Sequence, residues 1–244
     1  MKKKSNLIVI MVLFCLNLIL VHCTCGDEKK DTIIPEGEWV VLFDGSSIDH
    51  WRGIRSEGFP EDGWIINGNE LIVLGRTEEG PGGRDIITKK MYSDFVLELE
   101  FKLTELSNSG IKYFVRDDFP GYERRFLGPE YQLVDDEKYP DALIGKDRQT
   151  GALYELIPPP DSKKYYPPGQ WNKAKIVVNG DMVEHWLNGE KLITYDRKSD
   201  ALQALIAKSK FHDVEGYAVI DEGYILLQGH GEEVSFRDIR LKTW

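Results

Sequence analysis

Cysteine is nearly absent from this chain of 244 residues: Cys15, Cys23 and Cys25 are the only three, and all lie in the first stretch. The body therefore has no disulfide, no thiol nucleophile and no thiolate metal site. Basic runs are also missing, and the formal net charge is −10. That balance argues against nucleic acid or an anionic bilayer as binding partner. No GxxxxGKS/T motif occurs, and no GxGxxG opens a helix, so nucleotide cofactors are not expected. GxSxG and HExxH are absent too, which removes the nucleophile-elbow hydrolases and the zincins. Outside the first 22 residues the histidines are His50, His185, His212 and His230.

What is present reads first as an export signal. Lys2, Lys3 and Lys4 precede an apolar run from Leu7 to Val21, too short for a comfortable spanning helix. Leu20-Val21-His22-Cys23 resembles a bacterial lipobox, with Cys23 the expected lipidated residue and Cys25 a second candidate. An acidic polar stretch follows, as in surface lipoproteins of Bacteroidetes. The expected organisation is a signal peptide over residues 1–22, a polar tether over 23–37 and one domain over 38–244. The protein is then an exported lipoprotein, periplasmic or at the outer membrane or cell surface, touching membrane only through its lipid. Removing three lysines leaves 31−3 = 28 basic against 41 acidic residues, a charge of −13, which suits a neutral sugar better than a polyanion.

The body reads as antiparallel sheet. Asn67-Gly68, Asn179-Gly180 and Asn188-Gly189 each sit between apolar runs, the signal for a two-residue hairpin. The last two join a three-strand meander. Phe95, Leu97, Leu99, Phe101 and Leu103 alternate with Val96, Glu98, Glu100 and Lys102, the pattern of a half-buried strand. The stretch Val234–Leu241 alternates and then slips register after Asp238, which predicts a bulge. A helix is expected only at Ser199–Lys208, with Ser199 as its N-cap. Many short strands, few helices and no repeat make this an all-β sandwich with one or two short helices.

Polar groups recur on one face of otherwise apolar strands. In Asn108–Arg116, Ile111, Tyr113 and Val115 point one way, and Gly110, Lys112, Phe114 and Arg116 the other. Glu130 and Gln132 share a face, as do Gln228 and His230, while His185 lies with Val183 and Leu187. Amides, an acid, cations and histidines are the mix a sugar site needs. Trp51 and Trp186 are candidate stacking surfaces, with core packing the plainer role. Glu98 and Glu100 suggest paired catalytic carboxylates, although ordinary alternation makes them a solvated strand face.

Several segments together resemble the 3-keto-disaccharide hydrolase domain family: WVVLFDGSSIDHWRG, the NSGI strand, GPEYQLVDD, TGALYELIPP, PPGQWNKAKIVVNGDMVEHWLNG, AKSKF and GYILLQGHGEEVSFRDIRLK, in order over about residues 38 to 244. The resemblance implies a concanavalin/laminin-G-like jelly roll of two curved antiparallel sheets with a concave ligand cleft. It implies action on a glycoside already oxidised at C3 by a separate enzyme. The ketone acidifies the C2 proton, so a base can remove it, expel the C1 substituent and let water add. The expected proton acceptor is His230 or His185, with Glu130 a weaker candidate for it or a polar anchor. Lys112 or Arg116 is expected to stabilise the enolate, and Asn108, Gln132, Tyr154 and Gln228 to bind hydroxyls. A divalent metal on Glu130 with His185 or His230 is a second version of the same chemistry. Two rival readings are a non-catalytic carbohydrate-binding module and an ordinary glycosidase pairing Glu130 with Asp135 or Asp136.

Overall fold

The structure is a computed structural model that describes residues 37–123 and 125–243; the expected signal, lipidation site and nearly all of the tether lie outside them. Among the described residues thirteen strands form two antiparallel sheets, the jelly-roll sandwich expected. In chain order they are β1 (Trp39–Phe43), β2 (Trp51–Gly53), β3 (Trp64–Asn67), β4 (Glu70–Val73), β5 (Ile86–Thr88), β6 (Phe95–Leu103), β7 (Asn108–Val115), β8 (Glu130–Val134), β9 (Trp171–Asn179), β10 (Met182–Leu187), β11 (Glu190–Asp196), β12 (Tyr224–Leu227) and β13 (Val234–Thr243). One sheet runs β11-β10-β9-β6-β13-β4-β3, with β1 also pairing β13, and the other runs β2-β5-β12-β7-β8.

Period-two alternation explains how the sheets stack. On β6, Phe95, Leu97, Leu99, Phe101 and Leu103 are at most 1% exposed and face Ile111, Tyr113, Tyr131 and Leu133 of the second sheet in one core. Each such side chain contributes about 1.5–3 kcal/mol on burial. Their polar neighbours face outward. Glu98 pairs with Arg240 at 2.5 Å and Lys173 at 3.3 Å, and Glu100 with Arg237 at 2.6 Å. That arrangement is an ion-paired outer face and not a catalytic carboxylate pair.

All three Asn-Gly hairpins form, by two routes. At Asn188-Gly189 both residues have positive φ, 49° and 85°, between paired Leu187 and Glu190. In the other two the asparagine is the last strand residue, paired to Glu70 or Met182, and only the glycine turns left-handed. The bulge expected near Asp238 is present, with Asp238 at φ 51°. It lets β13 pair β4 with its first half and β1 with its second. The short helix α1 (Asp200–Ile206) starts as expected, Ser199 Oγ accepting from the amide of Leu202. A 3₁₀ turn spans Lys146–Arg148.

One strand departs from simple alternation. Phe114 has φ 51°, and β7 gains one residue against β12 between Lys112 and Val115. Phe114 therefore joins Tyr113 in the main core, while Val115 turns outward to pack with Ile87 and Leu226. The face shared by Ile111, Tyr113 and Val115 in the sequence pattern ends at Tyr113.

Candidate active site

The outer face of the five-stranded sheet carries a pocket of about 220 Å³. Register builds its floor. Lys112 on β7 lies opposite Glu130 on β8, and Gly110 opposite Gln132. Gln228 continues the row from β12, its amide donating to the Gly110 carbonyl at 3.0 Å. Asn108, Tyr154 and His230 complete the set, so seven of the nine expected site residues line one cavity. Its volume falls below the roughly 300–1,000 Å³ of drug-sized sites, a scale that suits one sugar ring.

Glu130 is the chemical centre of this floor. It is 8% exposed, and Lys112 Nζ stands 3.7 Å from its carboxylate. Burial raises its pKa above the usual carboxylate range, and Lys112 and then Lys210 pull it back. Glycine at position 110 is a spatial requirement: a Cβ there would meet Glu130 Oε1 at 2.2 Å. Nearby, Asn108 Oδ1 and Gln132 Oε1 are buried without a hydrogen-bond partner. Two orphaned acceptors in one small pocket cost stability unless a ligand's hydroxyls supply donors.

The walls come from loops. Tyr154 donates to Asp141 at 2.8 Å, and Arg148 pairs with Asp141 at 2.5 Å and with Glu155 at 2.7 Å. Lys210 Nζ sits 4.1 Å over the Tyr154 ring. Burial and then the Asp141 bond raise the Tyr154 phenol, so it is a neutral donor. His230 stands at the solvent rim, with Nδ1 3.2 Å from Glu232 and 3.3 Å from the Tyr139 hydroxyl. A proton on Nδ1 directed at that carboxylate leaves Nε2 as an acceptor.

Two expected site residues are elsewhere. His185 is fully buried on the core face of β10, between the Tyr113 hydroxyl at 2.7 Å and the Gly151 carbonyl at 3.1 Å. Burial pushes its pKa down to about 3. It cannot reach substrate, because β7 and β8, whose Tyr113 and Tyr131 it packs against on their core side, lie between it and the pocket. Arg116 is carried off the Lys112 face by the Phe114 bulge and pairs with Asp118. The stacking candidates fail similarly: Trp51 is fully buried, and Trp186 on the other sheet has Lys175 3.7 Å over its ring.

The metal set does not assemble. With His185 in the core, Glu130 and His230 remain, and no group of three His, Cys, Asp or Glu side chains able to hold an ion forms among the described residues. Lys112 already supplies a cation beside Glu130. The glycosidase pairing fails as well. Asp135 accepts backbone amides from Leu106, Glu137 and Lys138, and Asp136 is bound to Lys163 at 2.6 Å and the Thr150 amide at 2.7 Å. Both are fixed as structural anchors of the loop after β8.

Other residues at the site escaped the sequence reading. Lys210 and Phe211 line the pocket from the turn after α1, inside the AKSKF segment. Asp85 stands beside the end of β12, accepting from the Gly229 amide at 2.9 Å, and its carboxyl pKa is raised by burial against the pull of Lys112. None of the three lies on a patterned strand, so alternation had nothing to say about them.

A jelly-roll sandwich with a small polar pocket on one sheet is an architecture found among glycoside hydrolases. The solved structures agree. A protein from Parabacteroides distasonis assigned as a glycosyl hydrolase matches with TM-score 0.73 and 29% identity, over 84% of this chain and 94% of that one. A non-specific endo-β-1,3(4)-glucanase of family GH16 shares the fold at TM-score 0.50 and 12% identity, over 86% of this chain and 92% of that one. The 3-keto-disaccharide hydrolase of Bacteroides thetaiotaomicron is 35% identical over 233 residues, 84% of this chain and 78% of its own. Residues 38–242 match the 3-keto-alpha-glucoside-1,2-lyase-like domain, and the chain belongs to that family.

Proposed function

We propose that the protein cleaves the glycosidic bond of 3-keto-glycosides by removing the C2 proton, expelling the C1 substituent and adding water. The observation that carries this reading is the Glu130–Lys112 pair, 3.7 Å apart on the pocket floor. In a 3-keto sugar the acidic C–H and the ketone sit on adjacent carbons. A base and a cation side by side match that arrangement. Glu130 takes the C2 proton, and Lys112 faces the C3 oxygen as charge develops there. The raised Glu130 pKa strengthens it as a base. Asn108 and Gln132 accept from sugar hydroxyls, and Tyr154 and Gln228 bind at the sides. His230 offers Nε2 at the mouth. The ketone must be installed beforehand, so a sugar C3-dehydrogenating reaction on another protein supplies the substrate. The leader and Cys23 add a place to this proposal: an exported lipoprotein of the periplasm or cell surface.

The test is turnover of a 3-keto-glucoside in deuterated water. The released 3-keto sugar should carry deuterium at C2 well above the rate without enzyme. Glu130→Gln should lose both cleavage and C2 labelling by at least about 100-fold. Equal cleavage of the unoxidised glycoside, without C2 labelling, would show an ordinary glycosidase instead. Binding without any product would show a carbohydrate-binding module.

A further inference from the structure

Asp85 occupies a wall between two spaces. Its Oδ1 accepts from the Gly229 amide, and the two residues flanking Gly229 in sequence, Gln228 and His230, line the catalytic pocket. On its other side Asp85 lines a second cavity of about 620 Å³, together with Arg55, Ser56, Glu61, Asp62 and Arg84. Its Oδ2 has no hydrogen-bond partner among the described residues. A Cβ at Gly229 would meet the Gly83 carbonyl oxygen at 2.3 Å, so the 83–85 segment is packed directly against the pocket wall.

We propose that Asp85 is the acid that protonates the departing glycosidic oxygen, and that the cavity beside it receives the leaving sugar. The proposal rests on the C2-elimination reading. The catalytic pocket holds about one ring, so a disaccharide's second ring must extend outside it. The Tyr154 side is closed by the Asp141–Arg148–Glu155–Lys210 ion network. Beyond Asp85 lies the larger cavity, where Arg55, Ser56, Glu61, Asp62 and Arg84 offer hydrogen bonds and Phe59 an apolar face to a leaving sugar. Asp85 and Glu130 are close enough to sense each other's charge, and Lys112 is near both. Burial favours the protonated carboxyl that a proton donor needs.

The steps balance. Glu130 removes the C2 proton, and the electron pair moves to the C3 oxygen. That pair returns to form the C1–C2 double bond as the C1–oxygen bond breaks. The leaving oxygen takes the Asp85 proton and departs as a neutral alcohol. Water then adds at C1, giving its proton to the Asp85 carboxylate, while Glu130, its proton exchanged with solvent, protonates C2. One water is consumed and both carboxyl groups are restored.

The experiment compares two leaving groups. Asp85→Asn retains an acceptor for the Gly229 amide but carries no acidic proton. On a 3-keto-disaccharide its kcat/KM should fall about 100-fold or more. On 4-nitrophenyl 3-keto-glucoside, whose phenolate departs unaided, it should fall little, and C2 deuterium should still appear in the product. Equal loss on both substrates overturns the proposal, as does a leaving-group-selective loss in His230→Asn instead. Absence of C2 deuterium with wild-type enzyme overturns the elimination reading, a separate outcome. A series of aryl 3-keto-glucosides with the wild-type enzyme gives a second reading if the variant does not fold. Proton donation flattens the dependence on leaving-group acidity, so a steep dependence overturns the proposal.

Discussion

At the scale of single residues the site is a problem in charge. Lys112 is the strongest of the charges opposing burial at Glu130; Lys210 and His230 act the same way and Asp85 against them. Lys112→Met should therefore raise the Glu130 pKa further. The acid limb of the kcat/KM profile should move to higher pH, and kcat should fall about 100- to 1,000-fold as enolate stabilisation is lost. A pH–rate profile of the variant checks both, and a limb that stays put or moves down would show the pair to be uncoupled. These two residues were legible in the sequence because each sits on a strand whose alternation is regular at that point. Asp85 and Lys210 were not, because a residue beside a strand end or in a turn has no period to betray its direction. His185 misled for the opposite reason. Its alternation with Val183 and Leu187 is sound, but alternation says which residues share a face and not whether that face meets core or ligand.

At the scale of the element, β7 does two jobs with one backbone. Ile111 and Tyr113 fill the core while Asn108 and Lys112 line the pocket and Gly110 leaves room for Glu130. The bulge at Phe114 ends this division, and a single left-handed aromatic residue is not something hydrophobic pattern announces. The Asp238 bulge was visible because the apolar phase changes in the sequence around it. On β7 Phe114 and Val115 are both apolar, so the slip left no mark and Arg116 was placed on the wrong face. Gly110 gives this strand its own prediction. Its backbone is ordinary extended strand, so Gly110→Ala should fold and shift Tm by no more than about 4–8 °C. The new methyl group meets the end of a flexible side chain and pushes Glu130 off the substrate. Activity on the 3-keto-glycoside should drop about 100-fold, read beside a thermal melt. Full activity in a well-folded variant would mean that Glu130 is not where the base acts.

Across the whole molecule, the two sheets meet in a largely apolar core that carries a polar seam behind the pocket. There Tyr113 of β7 bonds His185 of β10 and Tyr195 of β11, and Tyr131 of β8 donates to the Trp186 carbonyl at 3.0 Å. His185 is held neutral, Nδ1 donating to Gly151 and Nε2 accepting from Tyr113. Its pKa falls from an ordinary 6.5 to about 3 by burial. In the unfolded chain the same imidazole takes a proton below about pH 6.5. The unfolded state therefore binds more protons between those values, and stability falls as pH drops through that window. By pH 4.5 the loss from this one residue is about 2 to 3 kcal/mol. Glu130, Asp85 and Asp136, all with raised pKa values, act in the opposite direction because the folded state holds their protons more tightly. The measurement is therefore a difference: urea unfolding of the wild type and of His185→Gln at pH 7 and pH 4.5. The variant starts less stable, having lost a buried hydrogen-bonded ring, but should lose about 2 to 3 kcal/mol less on acidification. Parallel losses in the two proteins would mean that His185 already carries a proton in the folded core.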